Sequence, residues 1–170
     1  MIRTTISQDE IETGLARLGQ EFDDMTELMQ DLGEVLQDAT QERFTQGTAP
    51  DGTPWAPKSQ ATIDGYRRGE GRGRNAPVDF RPLFGPSKRL SSEIHYVASP
   101  QSVEVGSSLI YSAVQQLGAS KGAFGTASNG SQIPWGDIPA RPFLGISDED
   151  ETGLRAAVEE WLMRITDASA

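Results

Sequence analysis

The chain's single histidine, His95, stands two residues after Glu93. On an extended chain positions i and i+2 share a face. The pair could therefore share a proton or offer two ligands to a metal ion. Neither chemistry is complete. Zinc sites take three or four protein ligands, cysteine is absent, and no third ligand follows at useful spacing. The glycines at 69, 71 and 73 lack the strand-to-helix setting and the Lys-Ser/Thr ending of a phosphate-cradling loop. No serine sits in a nucleophile elbow. The carboxylates recur at i, i+3 and i+4, the pattern of solvated helix faces. These residues predict a protein with no catalytic, cofactor-binding or metal-ligating site, and no cofactor.

What remains is the chemistry of contact. Arg67, Arg68, Arg72 and Arg74 crowd four guanidinium groups into eight residues, interleaved with glycine. They can meet phosphates or the carboxylates of a neighbouring copy. Residues 138–150 combine Pro139, Arg141, Pro142, Phe143 and Gly145 ahead of an acidic helix start. The two prolines remove two backbone donors and hold the chain extended. Such a segment is excluded from the middle of a sheet. It reads as a stiff backbone that presents Arg141 and Phe143 to a partner, and these two residues join the four arginines as expected interface residues.

The elements that must position these groups follow from periodicity. Residues 2–6 form a short β-prone run. Ser7 and Glu10 make a capping box, and apolar side chains at 11, 15, 18, 22, 25, 29, 32, 36 and 39 trace one face of a long helix. Gly19 and the Asp23–Asp24 pair predict a break, with Asp24 capping a second helix that stops near Gly47. The turn-rich loop 47–57 folds Trp55 back onto the core. A short helix follows over 59–68. Residues 90–98 and 102–107 read as a β-hairpin, and 111–117 as a helix ended by Gly118. Residues 118–136 form a Gly-rich excursion, either a hairpin or a flexible arm. Residues 143–146 return to the sheet. The last helix is capped around 147–150 and buries Leu154, Val158, Trp161 and Ile165. The expected fold class is α+β. A long N-terminal helix, broken near residues 19–25, and a C-terminal helix pack on a small antiparallel sheet of three to five strands. The chain reads as a single domain, 1–170, with flexible loops near 67–82 and 118–136.

Composition agrees with this plan. The chain has 170 residues, 18 glycines and 10 prolines, so much of it is loop. The absence of cysteine excludes disulfides and suits a reducing compartment. No apolar run has the length of a membrane span, and the first residues lack the apolar region of a signal peptide. The net charge is −10 and unevenly placed. Residues 1–46 carry 11 acidic and 3 basic side chains, residues 47–100 carry 5 and 8, and residues 148–170 carry 7 and 2. Acidic ends and a basic middle allow copies to meet head to tail. This charge also argues against sequence-specific DNA binding.

Three segments, in order, resemble one family. They are the 47–57 loop with its Pro54–Trp55 pair, the stretch 83–94 followed by 103–106 and 111–118, and residues 138–150. Together they resemble the phage virion morphogenesis proteins, the tail completion family of Mu-type contractile-tailed phages. Gln115 stands where the family often has a histidine, and residues 87–90 replace its usual Thr-Gly-Leu turn. The resemblance implies a non-enzymatic structural protein of the phage neck or upper tail. It would form a ring of six or twelve copies around the DNA channel and take part in tail completion and head–tail joining. Implied partners are adjoining neck, tail tube or tail proteins. DNA would pass without sequence-specific binding, and no membrane is involved. The implied location is the virion, with the host cytoplasm during assembly. A transient assembly chaperone that leaves the particle is the alternative.

Overall fold

The computed structural model describes residues 8–69 and 79–167. The expected strand at 2–6, the Ser7 cap, Arg72 and Arg74 lie outside them, as does most of the 67–82 loop. The fold is α+β. It contains helices α1 (Gln8–Asp23), α2 (Thr26–Gln46), α3 (Gln60–Arg67), α4 (Arg89–Ser92), α5 (Ser112–Leu117) and α6 (Asp148–Asp167), with strands β1 (Ile94–Ser99) and β2 (Ser102–Ser107). The residues gather into two compact units. One comprises Met1–Leu36, Tyr96–Glu104 and Asp148–Ala170, and the other Gln37–His95 and Val105–Ser147.

In the first unit the long apolar stripe breaks where two adjacent aspartates stand. Asp24 Oδ1 accepts hydrogen bonds from the backbone N–H of Thr26 (3.1 Å) and from its hydroxyl (2.5 Å), which starts α2. The same two bonds favour the ionised carboxylate and lower its pKa. Leu28, Trp161 and Ile165 are buried together, with Leu18, Met25, Met29, Leu32 and Val158 packed around them. Phe22 meets Trp161 edge to face, ring centres 5.5 Å apart. Arg164 spans Glu27 Oε1 (2.8 Å) and Asp31 Oδ2 (2.6 Å). These groups are solvent-exposed, so water screens the pairs and they add little to stability. Asp148, Glu149, Asp150 and Glu151 occupy the first turn of α6, where the helix dipole favours negative charge. At Gly33, the glycine of α2, a side chain has no room. A Cβ there would lie 2.6 Å from Cγ of Tyr96, whose ring crosses the helix backbone.

The second unit is built around Phe44, Trp55, Phe84, Leu90, Ile94, Leu109 and Phe143. Each such side chain contributes about 1.5–3 kcal/mol on burial. The loop after α2 returns as a tight turn. Gly47 adopts φ 76°, its N–H donates to Arg43 O (2.7 Å), and the N–H of Trp55 donates to Gly47 O (2.9 Å). This sets Trp55 edge-on to Phe44 at 5.4 Å, as the loop composition predicts. Ser59 caps α3 through its side-chain oxygen.

Three expectations about the sheet are corrected. Among the described residues it has two strands, β1 and β2, rather than three to five. Residues 90–92 form the single turn α4, entered through Lys88 at φ 55°. Residues 143–146 are not a strand, because side chains rather than a neighbouring strand satisfy their backbone.

Candidate interaction surfaces

In the second unit, residues 138–147 are held by a clasp of side chains. Trp55 Nε1 donates to Pro142 O (2.7 Å). Arg43 donates to Phe143 O (3.2 Å) and Gly145 O (3.1 Å). Gln116 serves both polarities, as a strand would. Its Oε1 accepts from the N–H groups of Phe143 (2.9 Å) and Leu144 (3.0 Å), and its Nε2 donates to Leu144 O (3.0 Å). Arg141 reaches back to the 47–57 loop, with Nε on Ala56 O (2.7 Å) and an Nη on Pro57 O (3.0 Å). Its own N–H donates to Gln115 O (2.8 Å). Burial disfavours the charge on Arg141 and lowers its pKa.

The proline pattern predicts that Arg141 and Phe143 face outward to a partner, and the structure corrects this. Both are buried, and Phe143 is wholly inside, its ring 5.4 Å from that of Phe44. The stiff extended backbone does put residues 141 and 143 on one side, but that side faces the chain's own core. Sequence reasoning missed the residues that turn it inward, Arg43 and Gln116. The only signal for them is an arginine beside a core phenylalanine late in α2 and an amide pair at the end of α5.

The other expected residues lie elsewhere. Arg67 and Arg68 are exposed at the end of α3, with Arg67 Nη1 3.7 Å from Asp64 Oδ1. His95 is exposed on β1, while Glu93 accepts two bonds from Arg89 (3.2 and 2.9 Å), which commits the carboxylate to an ion pair. Among the described residues no three histidine, aspartate or glutamate side chains gather to hold a metal ion. No helix among them is long and apolar enough to cross a membrane.

Residues 119–138 of this unit form an arm. Its base is closed by reciprocal bonds between Ala119 and Ile138 (2.9 and 2.8 Å). Gly118, at φ 74°, passes so close that a Cβ would meet Ile138 O and Ala140 N at 2.7 Å. Farther out, the Gly122 N–H donates to Pro134 O (2.8 Å) and the Phe124 N–H to Ile133 O (2.7 Å). The backbone is thus paired, yet the large side chains point to solvent. Phe124 is 56% exposed, Ile133 42% and Trp135 81%. A surface of this kind marks an interaction site more often than an accident of folding.

A profile of the phage virion morphogenesis family matches residues 6–163. The chain belongs to that family. Tail completion protein S of Escherichia phage P2 is 33% identical over 128 residues, which cover 72% of this chain and 74% of that protein. No solved structure gives a significant match. The match spans α1 through most of α6, so both units belong to the family's common chain. Family membership supports a role in tail assembly and contact with other tail proteins, and implies a virion location.

Proposed function

We propose that the chain is a structural, non-enzymatic subunit of the phage neck or upper tail. It forms a ring of six or twelve copies around the DNA channel, completes the tail and helps to join it to the filled head. The observation that carries this reading is the pairing of family membership with the exposed apolar arm. A backbone-paired arm that keeps Phe124, Ile133 and Trp135 in water is stabilised once a neighbour covers it. The neighbours are other copies and adjoining neck, tail tube or tail proteins. Arg67, Arg68, Arg72 and Arg74 supply charged contacts at the edges of these interfaces. Assembly takes place in the host cytoplasm, and the protein stays in the virion.

The surplus of carboxylates suits the wall of a channel. Acidic groups repel phosphates, so DNA slides without sequence-specific binding, whereas a basic wall would grip it in a salt-dependent way. Carboxylates should therefore outnumber basic groups around the bore.

The test is complementation of a phage that lacks the gene. Trp135→Glu should fold like the parent, because the side chain is exposed. It should nevertheless yield free heads and unjoined tails, counted by electron microscopy. Normal particle yields with this variant would remove the arm from the account. Virions that are complete but lack the protein would favour the transient chaperone instead.

A further inference from the structure

Residues 105–136 hold a single charged side chain, Lys121, in a chain that is 24% charged. The run covers the end of β2, α5 and most of the arm, and it leaves several large apolar groups in water. Ile110, just ahead of α5, is 96% exposed, and Leu117, at its end, 76%. Tyr111 and the arm residues Phe124, Ile133 and Trp135 complete the set. Leu117, Ser120, Ile138 and Pro139 line one open cleft, which joins the end of α5 to the base of the arm. Exposed apolar residues elsewhere stand among charges: Phe22 between Glu21 and Asp23, Phe80 between Asp79 and Arg81, Met163 beside Arg164, and Val97 across the hairpin from Glu104. Loss of charge together with gain of aromatic side chains is the mark of an interface centre.

We infer that the free subunit pairs with a second copy through this uncharged face, in a two-fold dimer. Two observations select the occupant. A partner that brought a charge to the apolar centre of this face would bury it with no counter-charge to meet it, at a high cost. The occupant's own contact surface is therefore uncharged. The chain also has a net charge of −10, so copies repel one another over most of their surfaces and least where no carboxylate stands. A second copy brings the same face, and a face that meets its like forms a two-fold contact. The run has 32 residues, against about 20–30 on each side of a standard interface. A two-fold contact closes at two copies. It therefore belongs to the subunit before assembly and goes beyond the proposed ring. Pairing keeps the arm out of water until a tail neighbour displaces the second copy, so entry into the particle is a competition for one surface.

Sedimentation equilibrium of the full chain tests the pairing. From about 1 to 100 μM, the weak end of the affinities that interfaces of this size reach, the mass should rise from one chain to two and no further. Ile110→Glu and Leu117→Glu, each shown by circular dichroism to fold like the parent, should weaken pairing by at least about tenfold. If either fails to fold, Trp135→Ser takes its place. Met163→Glu, outside the face, should leave pairing unchanged. Added salt should keep or tighten the pair, because it screens the repulsion between acidic copies. One chain at every concentration would overturn the inference. So would pairs that survive both Ile110→Glu and Leu117→Glu, an equal loss with Met163→Glu, dissociation by salt, or species that grow beyond two.

Discussion

Gln116 shows how one side chain can stand in for a strand. Its amide takes the N–H groups of two successive residues and returns a donor to the second of them. Gln116→Ala should leave these groups unpaired in a partly buried place, at a cost of about 1–3 kcal/mol. Equilibrium unfolding in urea measures it, and an unchanged midpoint at constant slope would contradict the clasp. Asp79 offers a test by pH. Hydrogen bonds from the Arg81 side chain, at 3.1 and 2.7 Å, and from its backbone N–H, at 3.0 Å, hold the Asp79 carboxyl down to about 2. A depressed carboxyl contributes stability above its ordinary pKa of 3.8 and loses that contribution as pH falls toward 2. The carboxyl carbon resonance should therefore titrate near 2, and in Arg81→Ala should move back toward 3.8. What the sequence showed at this scale was which residues matter, not where they point. Arg141 and Phe143 stand out by type and spacing. Whether their shared side faces partner or core depends on Arg43, about a hundred residues earlier, and no local pattern carries that information.

Helix boundaries were legible because their causes are local. Asp24, Gly47, Ser59 and Gly118 each punctuate the chain within a residue or two of an observed end. Pattern alone overcounts the sheet because a β-prone run need not become a strand. Residues 143–146 bend at Leu144 and Gly145, and side chains partner their backbone, a tertiary choice that periodicity cannot register. Gly33 makes the same point inside α2. Helix propensity alone predicts that Gly33→Ala stabilises by up to about 1 kcal/mol. The Tyr96 ring occupies the space, so a loss of about 1–3 kcal/mol is expected instead. Thermal unfolding should show a lowered midpoint, and Tyr96→Ala in the same chain should make Gly33→Ala favourable. A stabilised Gly33→Ala in the parent would contradict the packing of β1 on α2.

At the scale of the molecule, composition already showed acidic ends and a basic middle. It could not show that the two ends form one unit. That follows from Phe22 meeting Trp161 and from Arg164 bridging Glu27 and Asp31, contacts between residues more than 130 positions apart. Once the ends are gathered, the charge difference becomes a property of two compact units rather than of chain segments. The exposed arm adds a second expectation. Trp135→Ser should leave stability within about 0.5 kcal/mol of the parent, as exposed substitutions usually do, while head–tail joining falls. A large loss of stability would mean that the arm braces the fold itself. The central claim, that the protein endures in the particle as a ring, is met most directly by electron cryomicroscopy of the neck at side-chain resolution. The account predicts a closed ring of this chain around the channel at the head-proximal end of the tail. A complete, infectious particle with no density for it would contradict the account.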